Sequence, residues 1–418
     1  MDKDILENAY NWGLDLLSEL IKIPSVSPQG DHYEEIAELL AHTAESLGFD
    51  TQIIKVDKDY QEQNCKHASS NPRYIVLATY GSNGPILHFN GHYDVVPGGI
   101  GWTITEPFKP LVKDNKLYGR GAIDMKGGIA AVLAGLKALK DSNGYPDNLV
   151  LQLAFVPDEE IGGECGTGYL VERVIDRAPE YVIIPEPSGL KTPWHGHKGA
   201  LWAKIRVHGK NAHASTPWQG KNAFLLASRF ALELHSRYTT ILSTRRTKYK
   251  ITPPEASYPT VMIGGVARVV DGKTNQVPGL FEFTIDRRLI PEEDVESTRG
   301  ELEALLRWIS VELGIENYEI SYETSMEPAI NDPAELYEAL KESGKKYDLI
   351  INEPEVCPGG LDLRYYTLKG SKALSYGPTG TTAHAPDEHL DLDEFKKLIG
   401  IFGMLPLELG KLNPKSQP

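Results

Sequence analysis

Apolar residues along the first third of the chain switch between two periods. Ile36, Leu39, Leu40, Ala44 and Leu47 recur at helical spacing, and Gly48 supplies a stop. An earlier helix carrying Leu16, Leu17, Leu20 and Ile21 must end near Pro24, because proline disfavours helix in the residue before it. Short aliphatic runs at residues 53–56, 74–79, 86–89, 149–156 and 181–184 read as buried strands. Between the third and fourth of these lies an Ala- and Leu-rich helix, residues 126–140, behind Gly127 and Gly128. Buried strands alternating with helices predict an α/β domain with a mostly parallel sheet flanked by helices.

The character changes after residue 192. Leu201, Ala203, Ile205 and Val207 alternate with Trp202, Lys204, Arg206 and His208, the period of a strand with one wet face. Phe281, Phe283 and Ile285 alternate likewise, and helices are expected at 223–234 and 292–313. Two helices on one antiparallel sheet make a smaller α+β insert, residues 193–322. The α/β pattern returns with helices at 336–345 and 395–405, so residues 1–192 and 323–418 read as one interrupted domain. Residues 411–418 read as a frayed end.

Charge and cysteine usage narrow the function. Acidic residues number 58 against 43 basic ones, a formal net charge of −15. Such a chain repels phosphate backbones, which argues against nucleic acid as a partner, and an anionic substrate would need local basic groups. The 3 cysteines (Cys65, Cys165, Cys357) are odd in number and lack metal-ligand spacing, which reads as free thiols in a reducing compartment. No apolar run approaches the ~18 residues of a membrane span. No basic, apolar leader opens the chain, so a soluble, cytoplasmic protein without a membrane partner is expected.

The densest chemistry is Phe89-Asn-Gly-His92-Tyr-Asp94-Val-Val-Pro97, directly after an apolar strand. Residues i and i+2 of an extended segment share a side, so His92 and Asp94 can face one site, with the acid orienting the imidazole. Asp94 can equally cap a turn. Asp124, in Gly119-Arg-Gly-Ala-Ile-Asp124-Met-Lys-Gly-Gly128, opens a helix and can be its N-cap. Glu159 and Glu160, in Pro157-Asp-Glu-Glu-Ile-Gly-Gly163, end an apolar strand, as does Glu186 in Pro185-Glu-Pro187. Acids in a turn are commonly just solvated, but loops at strand ends carry function in α/β folds. His384 lies in a loop before the last helix, where a lone histidine is usually an exposed polar residue. Taken together, two histidines and several carboxylates suit zinc, with cobalt or manganese as substitutes. Acids gathered in one cleft would repel one another without divalent cations.

Gly-His-Tyr-Asp-Val-Val-Pro, Gly-Arg-Gly-Ala-Ile-Asp-Met-Lys-Gly, Asp-Glu-Glu-Ile-Gly-Gly and Ala-His-Ala-Pro-Asp-Glu occur in this order. In these the chain resembles the dinuclear-zinc family of acetylornithine deacetylase, succinyl-diaminopimelate desuccinylase, aminoacylase and glutamate carboxypeptidase. The resemblance covers nearly the whole chain and implies that the insert is a dimerisation (lid) domain and the protein a homodimer. It implies one cation held by His92, Asp124 and Glu186 and a second by Asp124, Glu160 and His384, with Glu159 as general base. It implies that His213 reaches the site of the other subunit, and that Asn275 and Arg288 bind a substrate carboxylate. Arg287 is adjacent to Arg288, but the family pattern of acid, any residue, arginine favours Arg288. Gly360, in Gly359-Gly-Leu-Asp362, resembles the family's substrate-pocket turn and is otherwise an ordinary tight turn.

Two departures from the family stand out. Tyr93, between His92 and Asp94, is larger than usual and is expected to point away from the cations. Glu186, where a dipeptidase branch has Asp, leans towards acyl-amino-acid hydrolases. The implied reaction is amide hydrolysis of a small anionic N-acyl amino acid. A carboxypeptidase or dipeptidase is the nearer alternative and a metal-free binding protein the remote one. A cysteine nucleophile finds no flanking pattern around Cys165.

Overall fold

The first helix begins where the Asp2 side chain accepts the Asp4 N–H and runs Lys3–Lys22, stopping just before Pro24. The second runs Tyr33–Ser46, and Gly48, at φ +92°, takes the left-handed turn a helix end favours. The computed structural model describes residues 2–142, 144–270 and 272–413. Within it the chain forms two compact units: Met1–His195, Asn331–Pro354 and Leu361–Pro418 in one, Gly196–Ile330 and Glu355–Gly360 in the other.

The first unit is built on a sheet whose spatial order is Asp50–Lys55, Tyr74–Tyr80, Val150–Val156, Ile86–His92, Tyr181–Ile184, Lys372–Ser375. The last four of these strands are mutually parallel. Tyr74–Tyr80 alone runs against the rest, antiparallel to both Asp50–Lys55 and Val150–Val156, so the sheet is mixed. Parallel neighbours need a crossover connection, which the helix Lys126–Ser142 supplies between Ile86–His92 and Val150–Val156. Ile86–His92 is buried at every position, as a central strand covered on both faces must be. Close approach sets the helix layer. A Cβ on Gly135 would come 2.7 Å from the Ile399 carbonyl oxygen, bringing Lys126–Ser142 hard against Leu392–Leu412. That last helix contains Lys411 and Leu412; residues 414–418 of the expected frayed end lie outside the described residues.

In the second unit the antiparallel order is Thr260–Val269, Leu280–Leu289, Gly199–His208, Tyr318–Met326. Ala203, Ile205 and Val207 share a core with Phe281, Phe283 and Ile285 and with the helices Ala223–Leu242 and Val295–Leu313. The first helix outruns its expected end because Tyr238 and Leu242 continue the buried stripe. The second starts later than expected, where the Asp294 side chain caps the Ser297 N–H. The boundary expected at residue 323 falls inside Tyr318–Met326, whose pairing with Gly199–His208 continues to Met326. Residues 355–360 also belong with this unit: the Val356 N–H donates to the Lys250 carbonyl at 2.8 Å.

The expectation of free thiols is overturned: Cys65 and Cys165 form a disulfide across a sequence separation of 100 residues. Tyr74–Tyr80 and Val150–Val156 are antiparallel, so the segment entering one and the segment leaving the other meet at one end of the pair. Spacing along the chain does not reveal that register. Cys357 is buried and takes no part in the bridge. The cysteines therefore no longer argue for a reducing compartment. No described helix is long and apolar enough to cross a membrane.

Candidate metal centre

His92 ends the buried central strand, and Glu159 and Glu160 lie in a single turn just past Val150–Val156. Glu186 follows Tyr181–Ile184, and Asp124 precedes the helix Lys126–Ser142. Parallel neighbours present the same ends together, so the fold delivers these side chains to one place. The glycines at the start of the Asp124 helix make the fit possible: a Cβ on Gly128 would overlap the Pro185 carbonyl, and one on Gly127 the Ala122 carbonyl. Asp124 and Glu186 are thereby brought to either side of His92.

Asp124 turns its two oxygens to different histidines. Its Oδ1 lies 3.2 Å from His92 Nε2, and its Oδ2 lies 3.2 Å from His384 Nε2. Glu186 Oε1 is 3.6 Å from His92 Nε2, and Glu160 is 3.1 Å from His384 Nε2. His92, Glu159 and Glu186 form one group whose ligand-capable atoms all lie within 4.8 Å, and Asp124, Glu160 and His384 form another. Ligand atoms about 2.0–2.1 Å from a tetrahedral cation stand roughly 3.3 Å from one another, close to these separations. Glu186 Oε1 is buried and has no hydrogen-bond partner among the described residues. Borderline-hard N and O donors with an orphaned buried oxygen fit a pair of divalent cations.

Charge in the site tells the same story. Burial, reinforced by neighbouring carboxylates, pushes Glu159 and Glu186 well above the usual carboxyl range and raises Glu160 as well. Hydrogen bonds to Asp124 and Glu160 lift His384 to about 10. His92 is raised well above 6.5 even against its burial, by Asp124 and Asp94. Asp124, between the two imidazoles, is held well below the usual carboxyl range against its burial. A site that raises the proton affinity of three acids and both imidazoles is short of positive charge.

The surroundings differ in part from expectation. His92 Nδ1 lies 3.0 Å from the Asp94 carbonyl oxygen and 3.5 Å from its carboxylate, so the nearer orienting acceptor is the main chain. The Asp94 carboxylate instead accepts the N–H groups of Glu159 (3.1 Å) and Glu160 (3.3 Å). Tyr93 points away from the cluster, its hydroxyl donating to the Tyr74 carbonyl. Motif residues without an expected role now have one. Glu388 Oε1 accepts the N–H groups of Ile123 (3.0 Å) and Asp124 (3.3 Å), and Arg120 holds its other oxygen at 2.6 Å, tying the Asp124 turn to the His384 loop. Lys126 Nζ donates to the Leu20 and Ile23 carbonyls at 2.8 Å, anchoring the same turn from below. Asp158 is gripped by Arg73 Nε (2.7 Å) and the Tyr33 hydroxyl (2.9 Å). Both quoted motifs contained the acids concerned, but their partners lie up to 268 residues away. His384 itself sits at φ 62°, a conformation uncommon for a side chain with a Cβ and one that gathers at functional sites.

The remaining expected residues lie in the second unit. His213 Nδ1 accepts the Ser215 N–H at 3.1 Å, so a neutral ring carries its proton on Nε2. The Asn275 carbonyl accepts the Ala214 N–H at 2.9 Å, which makes the two residues neighbours. Arg287 is fully buried, bound to the Tyr238 hydroxyl and Glu293, whereas Arg288 is half-buried and forked onto Asp286 at 2.8 and 3.0 Å. Only Arg288 of this pair has a guanidinium open to solvent. Gly360 packs on Met326, whose sulfur a Cβ would overlap.

The chain matches Peptidase family M20/M25/M40 over residues 88–407. An uncharacterized metallohydrolase of Methanocaldococcus jannaschii is 30% identical over 427 aligned residues, 96% of this chain and 98% of that protein. Succinyl-diaminopimelate desuccinylase of Stenotrophomonas maltophilia is 28% identical over 403 residues, 94% of this chain and 97% of that one. An M20 family metallo-carboxypeptidase from Sulfolobus solfataricus has a TM-score of 0.73 at 24% identity, covering 97% of this chain and all of that one, and shares the fold.

Proposed function

The chain belongs to peptidase family M20/M25/M40, and from that premise we propose that it hydrolyses the amide bond of an N-acyl amino acid of succinyl-diaminopimelate or acetylornithine type, using two divalent cations, zinc foremost. The observation that carries this reading is Asp124, whose two oxygens each reach a different histidine, with Glu186 and Glu160 completing either side. Bound there, two cations supply Lewis acidity to the amide carbonyl and bring a water's pKa towards neutrality.

The protein's own groups do the rest. Glu159, beside His92 and Glu186, takes the proton of the attacking water and returns it to the departing amine nitrogen. Arg288, whose Nε and one terminal nitrogen Asp286 holds in place, and Asn275 receive the substrate carboxylate. His213 donates a hydrogen bond from Nε2 to the developing oxyanion across a homodimer, keeping its proton. The acyl-amino-acid substrate is supported by the desuccinylase relative, aligned along nearly the whole chain, and by glutamate at position 186. A carboxyl-terminal peptidase would use the same carboxylate-binding groups, so turnover decides between the two.

The test is metal content per chain by elemental analysis, with hydrolysis of N-succinyl-diaminopimelate, N-acetylornithine and a dipeptide panel. Two ions per chain, activity removed by a chelator and restored by zinc or cobalt, and preference for an acyl amino acid are expected. Preference for dipeptides would transfer the chain to the peptidase branch. No metal and no turnover after reconstitution would leave a binding protein. The homodimer has its own check: mixing His213→Ala with Glu159→Ala protein restores part of the activity if His213 acts across the interface, and restores none if it does not.

A further inference from the structure

The turn bearing Glu159 and Glu160 is held at both ends. At its start the Asp94 carboxylate receives the two glutamate N–H groups. Its end closes with the Gly162 N–H donating to the Glu159 carbonyl at 2.9 Å. The carbonyl of that same Gly162 then receives two side-chain donors from a distant part of the chain. The Tyr365 hydroxyl donates to it at 2.8 Å, and an Arg364 guanidinium nitrogen donates to it as well. That nitrogen also donates to the Tyr365 hydroxyl at 3.1 Å, so the three groups form a closed triangle.

The clamp is itself rigid. Arg364 is 7% exposed, its other terminal nitrogen donates to the Leu361 carbonyl at 2.8 Å, and its guanidinium lies 4.3 Å from the centre of the Tyr365 ring. The ring edge fits between Gly163 and Gly168: a Cβ on either would approach it to 3.2 or 3.1 Å. Gly162, at φ +121°, adopts a backbone that turns its carbonyl to these donors and that only glycine takes without strain. Thr167 at the far side of the loop donates to Asp362, next to Arg364. Burying a guanidinium is costly unless its donors are satisfied, and here one terminal nitrogen serves the Gly162 carbonyl and the Tyr365 hydroxyl while the other serves the Leu361 carbonyl.

We propose that Arg364 and Tyr365 are positioning residues for Glu159: by holding the Gly162 carbonyl they keep the base aimed at the reacting water. Neither side chain makes a hydrogen bond to a cluster residue, so their contact with the base runs through the turn, beside a through-space attraction between Arg364 and Glu159. The inference rests on the reading of Glu159 as the base.

The experiment measures kcat, KM, metal content and Tm for the wild type, Tyr365→Phe, Arg364→Met and Arg364→Lys on the best substrate of the panel. Loss of one hydroxyl contact lowers kcat by roughly 10-fold in Tyr365→Phe. Displacement of the turn lowers it by about 10²-fold in Arg364→Met. KM and metal content stay at wild-type values, and Arg364→Lys recovers part of the loss. Variants with wild-type kcat overturn the proposal. So do variants whose loss appears in KM, in metal content or as a matching fall in Tm, each of which marks a role other than aiming the base. If Arg364→Met does not fold, Tyr365→Phe decides alone. A wild type that turns over nothing in the panel refutes the hydrolase reading itself, a result distinct from any of these.

Discussion

The two histidines of the cluster occupy opposite surroundings. The His92 side chain is 1% exposed, at the end of a central strand, with its second nitrogen against the Asp94 carbonyl and Glu186 beside it. The His384 side chain is 52% exposed, on a loop at positive φ. Asp124 joins them. One half of the centre is therefore built into the sheet, while the other is completed by a loop that Glu388 and Arg120 tie down from behind. The difference separates what holds the fold from what admits ligand. A cation on the His92 side would be screened from solvent, and one on the His384 side would be within its reach.

Four experiments put that contrast to the test. The largest effect is expected at Glu159, which sits on the buried side: Glu159→Ala lowers kcat by about 10²–10⁴-fold while both ions stay bound. Metal loss from that variant, measured by elemental analysis, would show that Glu159 is a ligand and not the base. Next, His384→Ala is expected to release one ion and keep the wild-type Tm. His92→Ala is expected to release its ion and also to cost about 1–3 kcal/mol, because buried partners lose their hydrogen bonds. Equal destabilisation of the two variants in urea melts would erase the distinction.

The third test concerns the disulfide behind the acid turn. Cys165→Ser removes a cross-link over 100 residues and should cost about 2–4 kcal/mol, with ions still bound. An unchanged urea midpoint would mean that the bridge adds nothing. The last test concerns His88, four positions before His92 and fully buried between Gln152 and the Tyr366 hydroxyl, whose effect is confined to acid pH. Burial lowers its pKa from 6.5 to about 4. The unfolded chain binds that proton first, so this contribution is complete above about pH 6.5, is lost as pH falls towards 4, and amounts to about 3 kcal/mol at most. His88→Gln should flatten the fall of Tm over that window, and an identical slope would remove His88 as a source.

Much of the site was legible because function sits where strands end. The apolar runs before Asn90, Pro157 and Pro185 located the strand ends, and the polar residues after them were the candidates. The antiparallel edge of the sheet was not legible, since a buried strand carries no mark of direction. Glu388, Arg120 and Lys126 stood within the quoted motifs without a role, because each acts on a partner far along the chain. Arg364 and Tyr365 followed a turn read only as a substrate pocket. Arg287 shares the buried face of Phe281, Phe283 and Ile285, while Arg288, favoured by the family pattern, is half-buried.

Sequence by itself determined which segments fold as helix or strand, because periods of 3.6 and 2 are local properties of the chain. It also determined which residue types were on hand for a metal site. Tertiary structure decided which of them meet. Strand order brings four strand and helix ends to one place, and antiparallel register joins Cys65 to Cys165. Close glycine packing sets Asp124 beside Glu186, and a buried guanidinium pins the base's turn. Each depends on distance through space, which the folded topology sets and linear spacing does not encode.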